Sequence, residues 1–206
     1  TLPANASAAS PYTVTVTATD AQGATTTDTF TWTVSNPAPA VSPVADQSSA
    51  DGAAISLDVA PSFSDDDSIG YTASGLPAGL SISAAGTITG TLPSNASATS
   101  PYTVTVTATD AQGATTTDTF AWTVSNPAPT VSPVADQTNN DGAAISLDVA
   151  PSFSDDDSIS YTASGLPAGL SISAGGTISG TLPANASATS PYTVTVTATD
   201  AQGATT

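Results

Sequence analysis

Residues 102–125 read YTVTVTATDAQGATTTDTFAWTVS, and this stretch decides the fold. In its first half Tyr102, Val104, Val106 and Ala108 alternate with Thr103, Thr105, Thr107 and Thr109. Successive side chains of a β-strand point to opposite faces of the sheet. The alternation therefore specifies a strand with one buried apolar face and one face of hydroxyls. In the second half Phe120, Trp122 and Val124 share one face, while Thr119, Ala121 and Thr123 share the other. The AQG between the halves is a short hairpin connection in which Gly113 is free to take a positive φ. The pattern implies an antiparallel pair with Trp122, and likewise Trp32, pointing inward.

Working outward, YTVTVTATDAQGATT occurs at 12, 102 and 192, a period of 90 residues. SFSDDDS at 62 and 152, GLPAGLSIS at 75 and 165, and Trp32 and Trp122 keep the same spacing. Aligning 36–116 with 126–206 leaves eight differences: Ala40/Thr130, Ser48/Thr138, Ser49/Asn139, Ala50/Asn140, Gly70/Ser160, Ala85/Gly175, Thr89/Ser179 and Ser94/Ala184. All are exchanges among small or polar residues. Ninety residues is too long for a solenoid unit that leans on its neighbours, and it suits one self-sufficient β-sandwich. AAISLDVAPSF, IGYTASG, LSISA and GTITGTL supply further short strands between Asp, Gly and Pro turns, and no stretch has a helical period. With the proline-rich entry strand, each unit has about seven strands. The expected fold class is all-β, a tandem of immunoglobulin-like sandwiches.

The proline-rich stretches at 35–47 and 125–137 read as connections between units, because successive prolines favour stiff, extended backbone. Boundaries then fall near 36 and 126. On that phasing 1–35 is the C-terminal part of one repeat, 36–125 a complete repeat, and 126–206 a repeat lacking its last strand.

The composition narrows the function. The 206 residues include 17 Asp and no Glu, Lys, Arg, His, Cys or Met, for a formal net charge of -17. A chain without cationic side chains cannot neutralise phosphates, which argues against nucleic acid and anionic membrane surfaces as partners. It carries no apolar run long enough to cross a bilayer, so no membrane insertion is expected of this segment. The usual general bases and activated nucleophiles are missing as well, leaving Asp pairs such as Asp65 and Asp67 as the sole catalytic candidates. Because the array copies nearly every residue of its unit, gain of length is the better reading, and no enzyme is expected. Divalent cations are the natural counter-ions.

The ordered motifs ADQSSADG, FSDDDSIGYTASGLPAGLSIS, GTITGTLP, YTVTVTATDAQGATTTDTF and WTVSNPAP cover the whole 90-residue unit. In this order they resemble the cadherin-like, dystroglycan-type immunoglobulin-like repeats of large bacterial surface proteins. The resemblance implies an extracellular, cell-surface stalk or fibre of an adhesin, with calcium between neighbouring repeats of the same chain. Position by position, Asp65 and Asp67 in SFSDDDS resemble the DxD ligands of that family, and Asp110 resembles the ligand that closes the penultimate strand. Asp155, Asp157 and Asp200 repeat the set, and Asp20 is its remnant in the first segment. Asp51 and its repeat Asp141 stand where an acidic residue reaches the next repeat's site, and Asn126 stands in the linker. Hard divalent ions take six to eight oxygen ligands, which clustered carboxylates and carbonyls can supply, and the expected affinity is that of an extracellular module, roughly 0.1–1 mM.

Two other readings stay open. One is a module whose end loops bind glycan or protein, and the other is a subunit that self-associates into a fibre by exchanging a strand, since 1–26 and 181–206 differ only at Ala9/Thr189. Asn5, Asn95 and Asn185 head Asn-Ala-Ser sequons, which also serve as turn residues. The threonine-rich faces suit ice binding but far more often are simply the wet faces of strands.

Overall fold

The computed structural model describes residues 2–3 and 5–206. The architecture is all-β, and its helical pieces are 3-10 turns of three or four residues. The strands of 1–125 are β1 (Tyr12–Thr19), β2 (Thr25–Trp32), β3 (Ala40–Val41), β4 (Gln47–Ala50), β5 (Ala54–Asp58), β6 (Phe63–Ser64), β7 (Gly70–Ser74), β8 (Leu80–Ile82), β9 (Thr87–Thr91), β10 (Tyr102–Thr109) and β11 (Thr115–Ser125). Those of the last segment are β12 (Thr130–Val131), β13 (Ala144–Asp148), β14 (Phe153–Ser154), β15 (Ser160–Ser164), β16 (Leu170–Ile172), β17 (Thr177–Thr181) and β18 (Thr195–Thr199).

The chain divides into two compact units, one made of residues 1–47, 54–91 and 101–122, the other of 48–53, 92–100 and 123–206. The first unit holds most of one sandwich. One layer is β5-β9-β8, and the other is β4-β11-β10-β7, whose strands β4 and β11 run on into the second unit. Val104, Val106 and Ala108 of β10 are fully buried, as the alternation requires, together with Phe120 and Trp122 of β11. Val59, Phe63, Tyr71 and Ile88 are also buried, and the Phe63 and Tyr71 rings meet edge to face at 5.6 Å. Burying each large apolar side chain stabilises the fold by about 1.5–3 kcal/mol. On the opposite face of the hairpin Thr105 and Thr119 sit opposite each other, their hydroxyls 3.1 Å apart.

Two expected strands are interrupted. AAISLDVAPSF is not continuous: β5 stops at Asp58, a 3-10 turn occupies Ala60–Ser62, and β6 begins at Phe63. Pro61 lies inside that turn, where its missing N–H costs no ladder bond. The entry strand splits in the same way around Pro43, with β3 pairing to β6 and β4 to β11. The repeat therefore has nine strand segments, built from the seven-strand plan.

The first unit also contains the hairpin β1-β2, paired from Tyr12↔Trp32 to Thr19↔Thr25. Its apolar face is open: Trp32 is 54% exposed where Trp122 is 1%. The inward Trp expected from sequence holds for Trp122 and fails for Trp32, because no second layer among the described residues covers β1-β2.

The second unit repeats the plan with β13-β17-β16, β15-β18 and β12-β14. Val149, Tyr161, Ile178, Leu182 and Ala198 are buried, and the Phe153–Tyr161 edge-to-face contact recurs at 5.3 Å. Gly90 and Gly180 show why the β8-β9 and β16-β17 pairs need glycine. A Cβ at either position would lie 2.0 Å from the carbonyl oxygen of Gly79 or Gly169, at a φ of 144° or 139°.

Candidate functional site

In the first unit the candidate residues gather where β6 and β10 end. Ser64 closes β6, and the chain bends through Asp65–Asp67 before β7 begins. Asp65 Oδ1 accepts the Asp66 N–H at 2.9 Å, while Asp65 Oδ2 and Asp67 Oδ2 are buried with no hydrogen-bond partner. Asp110 follows β10 and closes its turn. Its Oδ1 accepts the N–H groups of Gln112 and Ala114, both at 2.9 Å, and the turn brings Gly113 to a φ of 91°. Its Oδ2 accepts the Asn36 side-chain amide at 2.7 Å, and only 6% of the residue is exposed.

The electrostatics of these carboxylates differ in sign. Burial pulls the Asp110 pKa upward, but the Asn36 amide and the N–H groups of Ala114, Gln112 and Gly113 outweigh it, and the net shift is below the ordinary value. Asp65 is pushed up, first by burial and then by its neighbour Asp66 and the charge of Asp110, against one backbone hydrogen bond. The charge of Asp110 therefore adds to what disfavours ionisation of Asp65.

The second unit reproduces the set. Asp200 Oδ1 accepts Gln202 and Ala204 N–H groups at 2.9 and 2.8 Å, and its Oδ2 accepts the Asn126 amide at 2.8 Å. Asp155 Oδ2, Asp157 Oδ2 and Asn126 Oδ1 are buried without partners. Asp155 is pushed up by burial and by the charges of Asp156 and Asp200, and Asp200 is held down by Asn126 and its turn against its own burial. In the first hairpin Asp20 makes the turn bonds to Gln22 and Ala24 but is exposed.

Asp51 and Asp141 stand apart from these turns in their own repeats. Asp51 donates its N–H to the Ser125 carbonyl at the end of β11, whereas Asp110 precedes the start of that strand. Asp51 Oδ1 accepts the Ser97 N–H at 2.7 Å, and its Oδ2 is buried and unpartnered. Within the second unit Asp51 and Gly52 line a shallow cleft with Pro127, Asp155 and Asp156. A Cβ on Gly52 would lie 3.1 Å from Asp156 Oδ2. Asp141 is exposed and has both oxygens occupied by Ser187, through its N–H at 2.7 Å and its hydroxyl at 2.8 Å.

Asn36, the counterpart of Asn126 in the first SNPAP, bonds Asp110 directly. Sequence reasoning missed two participants: Asp156 is the middle carboxylate of its run, and Gln202 donates to the Ser94 carbonyl at 2.5 Å while its Oε1 stays buried and unpartnered. The Gln of AQG looked like a turn filler, and nothing in its spacing marked it otherwise. Among the described residues no three carboxylates converge into a ready-made metal cage. The donor chemistry fits a hard cation even so, because the buried unpartnered atoms are oxygens and no Lys, Arg or His exists to neutralise them.

The sandwich layers and the repeated turns set what the chain can be compared with. The family described as Putative Ig domain matches residues 38–125 and 128–206. The chain belongs to this Ig-domain family. Among solved structures these Ig repeats are similar to Drosophila N-cadherin (18% identity, covering 95% of this chain and 56% of that one, TM-score 0.37). Mouse cadherin-23 gives 18% identity over 93% and 68%, with a TM-score of 0.38. A candidate alpha-galactosidase/melibiase of Bacteroides fragilis gives 21% identity over 44% of this chain and 18% of that larger one, with a TM-score of 0.37. This chain therefore spans about a fifth of the length of that last protein. No curated protein sequence matches the Ig repeats. No helix among their described residues is long and apolar enough to cross a membrane.

Proposed function

We propose that this chain is a section of an extracellular, cell-surface stalk, built from Ig repeats whose junctions take up calcium. The coarser statement, a structural or adhesion-type module of a generally non-enzymatic family, follows from membership of the Ig-domain family. The finer one rests on a single observation: Asp65 Oδ2 and Asp67 Oδ2, and Asp155 Oδ2 and Asp157 Oδ2 in the next repeat, are buried oxygens with no donor. An unpartnered buried carboxylate oxygen opposes folding unless a cation or water reaches it.

Asp65, Asp67 and Asp110 would hold the ion in one repeat, and Asp155, Asp157 and Asp200 in the next. Asn36 and Asn126 would turn their amide oxygens toward it, and Asp51 would add its free Oδ2 from the cleft it shares with Asp155. A bound cation supplies the positive charge that the chain lacks. Near-identity of the repeats supports a role in which each unit adds length.

The test is thermal unfolding of the full chain in chelator, magnesium and calcium at matched ionic strength. Calcium at about 5 mM should raise the melting temperature by roughly 5–10 °C, as expected for a site of 0.1–1 mM affinity. Asp67→Ala and Asp157→Ala together should remove the rise. Equal curves in chelator and calcium would leave a metal-free spacer, and an equal rise in magnesium and calcium a divalent site without preference for calcium.

A further inference from the structure

We propose that Asn5, Asn95 and Asn185 are acceptors for N-linked sugar, one every 90 residues, each heading an Asn-Ala-Ser sequon whose amide the fold leaves at the surface. All three precede a short 3-10 turn, at Ala6–Ala9, Ala96–Thr99 and Ala186–Thr189. An Asn in that place ordinarily caps the turn, its side-chain oxygen accepting one of the first free N–H groups. None of the three does so. What the turn takes from them is the backbone carbonyl, which accepts the N–H of Ala8, Ala98 or Ala188 at 3.1–3.2 Å, and any residue supplies that. Their φ angles, -94°, -118° and -125°, are open to ordinary residues as well. Nothing their side chains do within the turn accounts for Asn.

The middle residue of each sequon holds the amide outward. Ala6, Ala96 and Ala186 are buried, whereas Asn5, Asn95 and Asn185 just before them are exposed. A substituent on Nδ2 therefore extends into solvent and displaces no packed atom. The third residue is bound into the fold. Ser187 gives its N–H and its hydroxyl to Asp141, at 2.7 and 2.8 Å; Ser97 gives its N–H to Asp51 Oδ1 at 2.7 Å; and Ser7 Oγ is buried without a partner. Recognition of a sequon needs the Ser hydroxyl as well as the Asn amide. Sugar is thus added to the extended chain before the repeat closes, and the closed repeat leaves outside the one atom that carries it.

The donor is an activated sugar, a glycosyl diphosphate, brought by a separate transferase. Asn Nδ2 forms a bond to C1 of the sugar as the bond from C1 to the diphosphate oxygen breaks. The diphosphate leaves with the bonding electron pair, and the amide nitrogen loses one proton. This chain contributes the acceptor alone.

The stalk reading enters only through the export route on which sugar is transferred. The test is peptide mass spectrometry of the full chain purified from its own host. Trypsin has no site, but a protease that cuts before Asp releases 1–19, 67–109 and 157–199, each with one sequon. Sugar on the sequon Asn is expected in all three peptides. The added mass shows whether the donor carried one sugar or a preassembled oligosaccharide, and either supports the site. Bare Asn in all three, or sugar confined to Ser and Thr hydroxyls, would overturn the proposal. Ser97→Ala keeps the N–H that Asp51 accepts and should empty Asn95 alone, while Ser97→Thr should leave it filled; sugar retained at Asn95 in Ser97→Ala would overturn it equally. Asn95→Gln should shift the melting temperature of the unglycosylated chain by less than about 2 °C. A fall of roughly 4–8 °C, the size expected for a lost cap, would make Asn95 a turn residue and sink its assignment as a free acceptor. A calcium response with bare Asn would spare the stalk and remove the acceptors, and sugar without a calcium response the reverse.

Discussion

At the scale of single residues, the carboxylates of one turn pair pull stability in opposite directions with pH. The Asp110 pKa lies below the ordinary carboxylate value of about 3.9, because hydrogen bonds overcome its burial. Its contribution is full above that value and is lost as pH falls through the lower folded one. Asp65 has a raised pKa, so its ionised form opposes folding above the raised value, and protonation relieves this as pH falls toward about 3.9. Asp65→Asn should therefore raise the melting temperature of its own repeat at pH 7 in chelator and reduce the gain on mild acidification, leaving the share that Asp155 contributes in the next repeat. Asp110→Asn should lower the melting temperature and steepen nothing above pH 5. Both are read from melting curves between pH 3 and 8. These two residues were legible in the sequence as a pair of candidates, since SDDDS and TATDAQG recur with the period. Their opposite electrostatics were not, because the Asn36 amide that decides the sign lies 74 positions away from Asp110.

At the scale of strands, identical sequence has different consequences in different settings. β1 and β10 share YTVTVTAT, yet Val106 is fully buried while Val16 is 54% exposed. Trp122→Ala should cost about 3–5 kcal/mol in the transition of its sandwich, as large-to-small core changes do, and Trp32→Ala should leave that transition unchanged. Acrylamide quenching of the single-Trp variants gives an independent check, with strong quenching of Trp32 and weak quenching of Trp122. Gly90→Ala places a Cβ against the Gly79 carbonyl, and should destabilise by more than about 3 kcal/mol in urea titration. Period-two alternation told which side of each strand is apolar, and that part of the fold was legible. It could not tell whether a second layer lies over that side. Nor could it place the break at Pro43, where the entry strand leaves β6 for β11, because that switch depends on Asp46 and Asp118 meeting amides some 75 residues distant in sequence.

At the scale of the whole chain, the charge of -17 acts against compaction everywhere at once. Sodium chloride should raise the melting temperature steadily up to about 0.15 M, where screening reaches about 8 Å, and change it little beyond. A calcium effect that persists above that concentration is a site effect; one that vanishes there is screening. The tandem plan was legible from the 90-residue period, but the partition into two compact units was not. Three identical copies of YTVTVTATDAQGATT in one chain also offer an unfolded molecule a choice of partners. The hairpin between β10 and β11 resolves it by proximity: five residues separate the strands, so the correct mate is found in microseconds, well before a copy 90 residues away can diffuse in. That short turn lets an array repeat its sequence almost verbatim while each repeat still folds with itself.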